Sequence, residues 1–161
     1  MSASSRAHTY ETTVTWTGNT GSGTTSQRAY ERLYDISNDG KPVIEGSSDP
    51  AFRGDPARYN PEDLLVASLS ACHMLWYLSL SAKAGIVVTA YRDQADGTMV
   101  EEANGSGHFT HLVLRPEIAV VAGTDLDKAD AIHHDAHAMC FIANSINFPI
   151  TVEATYTVAD E

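Results

Sequence analysis

The longest apolar stretch of the chain runs from Leu64 toward Ala84, interrupted only by Ser68, Ser70, His73, Ser79, Ser81 and Lys83. These polar residues do not gather on one side of a helix. The stretch opens with Asn60-Pro61-Glu62-Asp63, and Gly85 follows it. Asparagine is a good helix cap and proline suits the first helical position. Carboxylates in the first turn meet the positive end of the helix dipole. The pattern predicts a helix over residues 61–84 that is apolar nearly all round, and a helix of that kind is a buried one.

On either side the pattern changes to alternation with many threonines, valines and aromatics, which predicts strands. Residues 8–17 read as a strand, Gly18 to Gly23 as a turn, 25–36 as the second strand of a hairpin, and 41–45 as a short third. Residues 46–59 have no periodicity. An ordered loop of that length is often functional, and Phe52, Arg53 and Tyr59 suit one that covers something. After the helix, residues 86–95, 99–102 and 107–121 read as strands around a turn at Asp96-Gly97. A second helix is expected over 124–144, with Thr124 and Asp127 at capping-box spacing, and residues 149–158 close the chain as a strand. The order is βββ-α-ββ-α-β. Strands that arrive in hairpins predict an α+β fold with antiparallel sheet, in a single domain spanning residues 1–161.

One sheet covers only one face of the central helix, and the second helix is too short to cover the rest. A homodimer with the central helix near its interface is therefore expected. The formal net charge of −11 argues against nucleic acid and against an anionic membrane surface as partners. The polar residues within the apolar helix argue against a membrane span. No apolar signal core follows the first residues, so the expected location is the cytoplasm, where two cysteines are more often catalytic or inert than bridged.

Those cysteines are Cys72, on the central helix, and Cys140, on the second. Composition alone favours two buried structural thiols. A reactive Cys72 would need a cation to stabilise its thiolate, because it lies too deep in its helix to use the N-terminus. Arg53, Arg28, Arg32 and Arg58 are the candidates. Glu62 lies ten residues before Cys72, about 15 Å along a helix axis, so a Glu62 that works with Cys72 would come from a partner's antiparallel helix. Otherwise it is a first-turn carboxylate serving the dipole. His133, His137 and Cys140 follow i, i+4, i+7 spacing. They read as an exposed polar face or, alternatively, as an incomplete zinc site. The glycine-rich turn near Gly21 precedes a strand and not a helix, which removes a dinucleotide loop.

Asn60-Pro61-Glu62-Asp63-Leu64-Leu65, then Ala67, then Ser70-Ala71-Cys72, resembles the signature helix of the OsmC/Ohr family of osmotically inducible and organic hydroperoxide resistance proteins. The segment Ala138-Met139-Cys140-Phe141-Ile142-Ala143-Asn144-Ser145 is similar to its second motif. Trp16-Thr17-Gly18 followed by Gly23-Thr24 is similar to its opening hairpin. The resemblance implies an OsmC-like, intertwined α+β homodimer acting as a thiol peroxidase on organic hydroperoxides, with no cofactor and no metal. By position, Cys72 would be peroxidatic, Cys140 would resolve it as a disulfide, and Glu62 would be the carboxylate that orients an arginine. A dihydrolipoyl protein or another dithiol would be the reductant.

The chain departs from that pattern at three places. His73 stands where phenylalanine usually follows the first cysteine, and Phe141 where proline usually follows the second. The arginine spacing of one branch lands on Phe52, which makes the neighbouring Arg53 the first choice. The other branch takes its arginine from the first hairpin, which favours Arg28. Together these features suggest a third branch. Phe52, Met74, Trp76 and Phe141 could line an apolar pocket that prefers alkyl or aryl hydroperoxides. The alternative is a small-molecule or lipid binding module of the same fold with inert cysteines.

Overall fold

A computed structural model describes residues 6–159. The chain forms two compact units, Met1–Leu64 and Leu65–Glu161, and the fold is α+β. The first unit holds an antiparallel sheet of β1 (Thr13–Trp16), β2 (Tyr34–Ser37) and β3 (Ile44–Gly46), in that order. Its strands are shorter than the alternation predicts. Between β1 and β2 the chain is irregular, held by a single bridge between Asn19 and Tyr30 and by the Trp16 indole N–H donating to the Glu31 carbonyl at 2.9 Å.

The helix α1 (Pro61–Ala84) has the predicted bounds. Asn60 caps it reciprocally: its Oδ1 accepts from the Asp63 N–H at 2.7 Å, and Asp63 Oδ2 accepts from the Asn60 N–H at 3.2 Å. Length and apolar content alone would let α1 cross a membrane. Within a single chain the burial of α1 is one-sided. Only Leu69, His73, Tyr77 and Ser81 are buried, one stripe at i, i+4 spacing, whereas Leu75 is 63% exposed.

The second unit contains β4 (Val88–Asp93), β5 (Asp96–Glu101), β6 (Gly107–Leu114), β7 (Pro116–Val120), α2 (Leu126–Met139), β8 (Ile150–Val152) and β9 (Thr155–Val158). Two of the long strands read from the alternation, 107–121 and 149–158, are each in fact two. The break at Arg115 sends β6 into the sheet β5-β6-β8 and β7 into the sheet β4-β7-β9, and the break at Glu153-Ala154 divides β8 from β9 in the same way. The pairs β6–β8 and β7–β9 are parallel, which corrects the purely antiparallel expectation. Arg115 fastens these corners. Its N–H donates to Asp93 at 2.7 Å, and its guanidinium reaches Glu153 at 3.0 Å and Asp96 at 3.4 Å.

The second helix is shorter than expected. Asp125, not Thr124, caps it through the Lys128 N–H at 3.0 Å, while the Thr124 hydroxyl donates back to the Val121 carbonyl. At the other end α2 stops at Met139. Asn144 lies in a separate 3-10 turn, Ala143–Ser145, from which its side-chain amide donates to the carbonyls of Ala138 at 2.9 Å and Cys140 at 3.0 Å. Those carbonyls are the ones a helix end leaves unpaired.

Candidate functional site

In the second unit, Cys140 is the C-cap residue of α2 and is fully buried with Leu69, Leu112 and Leu114. The turn that follows holds it in place: its sulfur accepts from the Ala143 N–H at 3.4 Å. Cys72, three residues beyond Leu69 on α1, lies at the edge of the buried stripe. It is half-buried and packs on the same cluster. Both are free thiols that pack on the same cluster. Burial pushes the Cys140 thiol up to about 11. The Ala143 N–H opposes that rise, and the neighbouring Cys72 thiol adds to it. The structure thus brings together a thiol with partial access to solvent and one kept protonated beside it.

Trp76 and Phe141 stand near this pair. Trp76 packs on the same cluster, and its ring meets Phe141 edge to face, 5.8 Å between centroids at 80°. Phe141 is otherwise exposed, and Met74 is half-buried.

The remaining predicted residues belong to the first unit or to the start of α1. Glu62 is half-buried in the first turn of α1. Its charge and that of Asp63, after the effect of burial, raise the Tyr34 phenol above its ordinary value. The loop 46–59 is ordered. Asp49 caps a 3-10 turn, Pro50–Phe52, which ends at Arg53 in the left-handed region at φ 69°, the one non-glycine residue there among the described residues. Gly54 follows because a Cβ at that position would overlap the Ser48 carbonyl. Arg53 donates to the Gln27 carbonyl at 3.1 Å. Arg53 and Arg28 line one cavity, about 380 Å³ in volume. Phe52 is exposed.

The histidine face is corrected. His133 and Cys140 are buried and only His137 is exposed. Among the described residues no three His, Cys, Asp or Glu side chains are grouped to hold a metal ion. Instead His133 belongs to an aromatic cluster that the residue pattern did not reveal. His73 Nε2 lies 2.9 Å from His133 Nδ1, the two rings meeting edge to edge in nearly one plane with centroids 5.2 Å apart, and the Tyr77 ring stacks on His133 at 4.2 Å. Burial holds both histidines down to about 4. The signal was available: Leu69, His73, Tyr77 and Ser81 fall at intervals of four, one face of α1.

A family model described as OsmC-like protein matches residues 54–155. No curated protein matches the chain in sequence. Among solved structures, the chain is similar to an OsmC-like protein of unknown function from Vibrio cholerae. The two are 33% identical over 92% of this chain and 100% of that one, with a TM-score of 0.82. It is also similar in fold to an organic hydroperoxide resistance protein from Elizabethkingia anophelis, at 21% identity over 96% and 100% of the two chains and a TM-score of 0.67.

Proposed function

We propose that this chain, which belongs to the OsmC-like family, is a cysteine-based peroxidase that reduces organic hydroperoxides to alcohols. The observation that carries the reading is the pairing of a half-buried thiol, Cys72, with a fully buried one, Cys140, whose pKa is raised to about 11. Relatives in fold include hydroperoxide resistance proteins.

The asymmetry of the pair supports the following division of roles. The Cys72 thiolate attacks the distal oxygen of the hydroperoxide. The O–O bond breaks, the alkoxide takes a proton and leaves as the alcohol, and Cys72 becomes a sulfenic acid. Cys140 stays protonated and idle until that group forms beside it. Its sulfur then attacks Cys72, the sulfenic hydroxyl leaves as water with the Cys140 proton, and a disulfide closes. An external dithiol, a dihydrolipoyl protein or another thiol, supplies the two electrons that reopen the disulfide. Arg53, or alternatively Arg28, stabilises the thiolate, and Glu62 orients its planar fork. Trp76 and Phe141, with Met74 and Phe52, favour alkyl or aryl groups on the peroxide.

The working form is a homodimer in the cytoplasm. Most of α1 is apolar yet only one stripe of it is buried within the chain, with Leu75 63% and nearby Phe141 67% exposed. A second copy covering this face would also present its own Glu62 to Cys72, which lies about 15 Å from the Glu62 of its own helix.

The test is consumption of cumene hydroperoxide with dihydrolipoamide as reductant. Turnover is expected for the native chain and none for Cys72→Ser. Cys140→Ser should complete one stoichiometric turnover and stop. No consumption by the native chain with dihydrolipoamide, thioredoxin or dithiothreitol would transfer the function to a ligand-binding module with inert thiols.

A further inference from the structure

The two cysteines stand on different helices, Cys72 within α1 and Cys140 at the end of α2. Whatever fixes one helix against the other therefore fixes the thiols. The buried residues of α2 include Ala129, Ile132 and Ala136, which share one cluster with Tyr77 of α1. Apolar packing has no direction, and a face built largely of alanine gives little resistance to sliding. A slip of one helical turn would carry Cys140 about 5.4 Å. That is more than a disulfide tolerates, since its β-carbons must come within about 3.5–4.5 Å of each other.

Among the described residues, two hydrogen bonds join α1 to α2. One is exposed and lies at the end of α2 remote from Cys140, where the Lys128 ammonium donates to the Ala84 carbonyl at 2.8 Å. The other is buried, between His73 Nε2 and His133 Nδ1 at 2.9 Å. His73 directly follows Cys72, and His133 precedes Cys140 by two helical turns on the same side of α2. The two rings share a plane to within 4°. The N–H and the lone pair of a ring nitrogen both lie in the ring plane, so in this arrangement one nitrogen donates squarely to the other. His73 is 1% and His133 5% exposed, so water does not compete for the bond. The peroxidase cycle leaves the pair unused.

We propose that His73 and His133 are positioning residues for disulfide closure: the bond between them holds α1 and α2 in the register that brings Cys140 to Cys72. The inference rests on the reading of Cys140 as the resolving thiol, and it goes further by giving a part to two residues outside the thiol chemistry.

The experiment is equilibration of the chain with mixtures of reduced and oxidised glutathione, in the absence of peroxide. Each closure oxidises the two thiols to one disulfide and reduces one glutathione disulfide to two glutathiones. Alkylation of the remaining thiols followed by mass spectrometry gives the equilibrium constant. His73→Phe removes the bond and keeps a ring, and it should lower that constant about tenfold, on the scale of one hydrogen bond. His133→Phe removes the bond from the other side and serves if His73→Phe does not fold. His73→Gln places an amide nitrogen close to the Nε2 position and should restore most of the constant. Ile118→Ala empties part of the same cluster without removing the bond, and its constant should equal that of the native chain. Equal constants for the native chain and His73→Phe, no recovery in His73→Gln, or a loss in Ile118→Ala as large as in His73→Phe would each overturn the proposal. A native chain that closes no disulfide would overturn it together with the resolving role of Cys140. Failure of the peroxidase reading alone gives a different result: cumene hydroperoxide is not consumed, yet the disulfide constant still depends on His73.

Discussion

Within the second unit, Leu69, Leu112, Leu114 and Cys140 form one buried cluster, and Tyr77, Ile118, Val120, Ala129, Ile132 and Ala136 lie in another. The same α1 stripe feeds both, and the break at Arg115 gives the leucines of β6 to the first and the β-branched residues of β7 to the second. The first cluster surrounds sulfur with aliphatic side chains and offers Cys140 little beyond one backbone N–H. The second buries histidines and tyrosines. His133 Nε2 and the Tyr91 hydroxyl have no hydrogen-bond partner there among the described residues, and the buried Ser81 hydroxyl of α1 has none either. A cluster that keeps a thiol neutral needs only apolar packing. A cluster that keeps histidines neutral becomes a source of pH dependence. The two thiols and the buried histidines therefore lie toward different ends of one helix stripe.

The largest effect that would break this contrast comes from the aliphatic side. Leu112→Ala removes a fully buried side chain beside Cys140 and should cost 2–5 kcal/mol, about the usual range for such a truncation. Urea denaturation at pH 8 and at pH 5 should give that same loss at both values, since no titrating histidine belongs to this cluster.

The next effect belongs to the histidines. The folded pKa values of His73 and His133, about 4, lie below the ordinary 6.5. Burial is the main cause for both. The His137 charge adds to it for His73 while Asp93 opposes it, and His73 adds to it for His133. As pH falls below 6.5 the unfolded chain binds protons that the folded chain refuses. Stability is complete above that pH, declines toward pH 4, and levels off below it. Each of the two histidines should contribute roughly 3 kcal/mol to the decline, the scale of one such shift. His133→Phe keeps an aromatic ring against Tyr77 and removes the unpartnered nitrogen. Its urea midpoint should depend on pH about half as steeply, and an unchanged slope would remove this pair as the source.

How much of this was readable beforehand differs between the elements. The start of α1 was legible because its signals are local: the Asn60 cap, Pro61 and the carboxylates all lie within one turn of chain. The divided strands were not. Arg115 and Glu153 continue the alternation on either side of them, Pro116 is the one local sign of a break, and Arg115 fastens the corner by bonds to Asp93, Asp96 and Glu153, which are distant in sequence. The two thiols were identified through the signature around Cys72 and the motif around Cys140, whereas their spacing carries no information about contact. His133 was read toward solvent because a histidine is polar. It is buried because the Tyr77 ring stacks on it and the His73 ring meets its edge through a hydrogen bond, which residue type alone does not disclose.

The smallest effect sharpens the description of the aromatic cluster. The Tyr77 hydroxyl lies 3.5 Å from that of Tyr156, the outer limit of a hydrogen bond, while the Tyr77 ring is wholly buried and stacks on His133 at 4.2 Å. If the ring is what the cluster uses, Tyr77→Phe should cost only about 0.5 kcal/mol, the low end for a hydrogen bond, and leave the acid decline of the native protein intact. Urea unfolding of Tyr77→Phe at pH 8 and pH 5 separates the two roles. A loss above about 2 kcal/mol would mean that the hydroxyls form a connected polar network. A changed acid slope would mean that this network, and not burial alone, holds the histidines neutral.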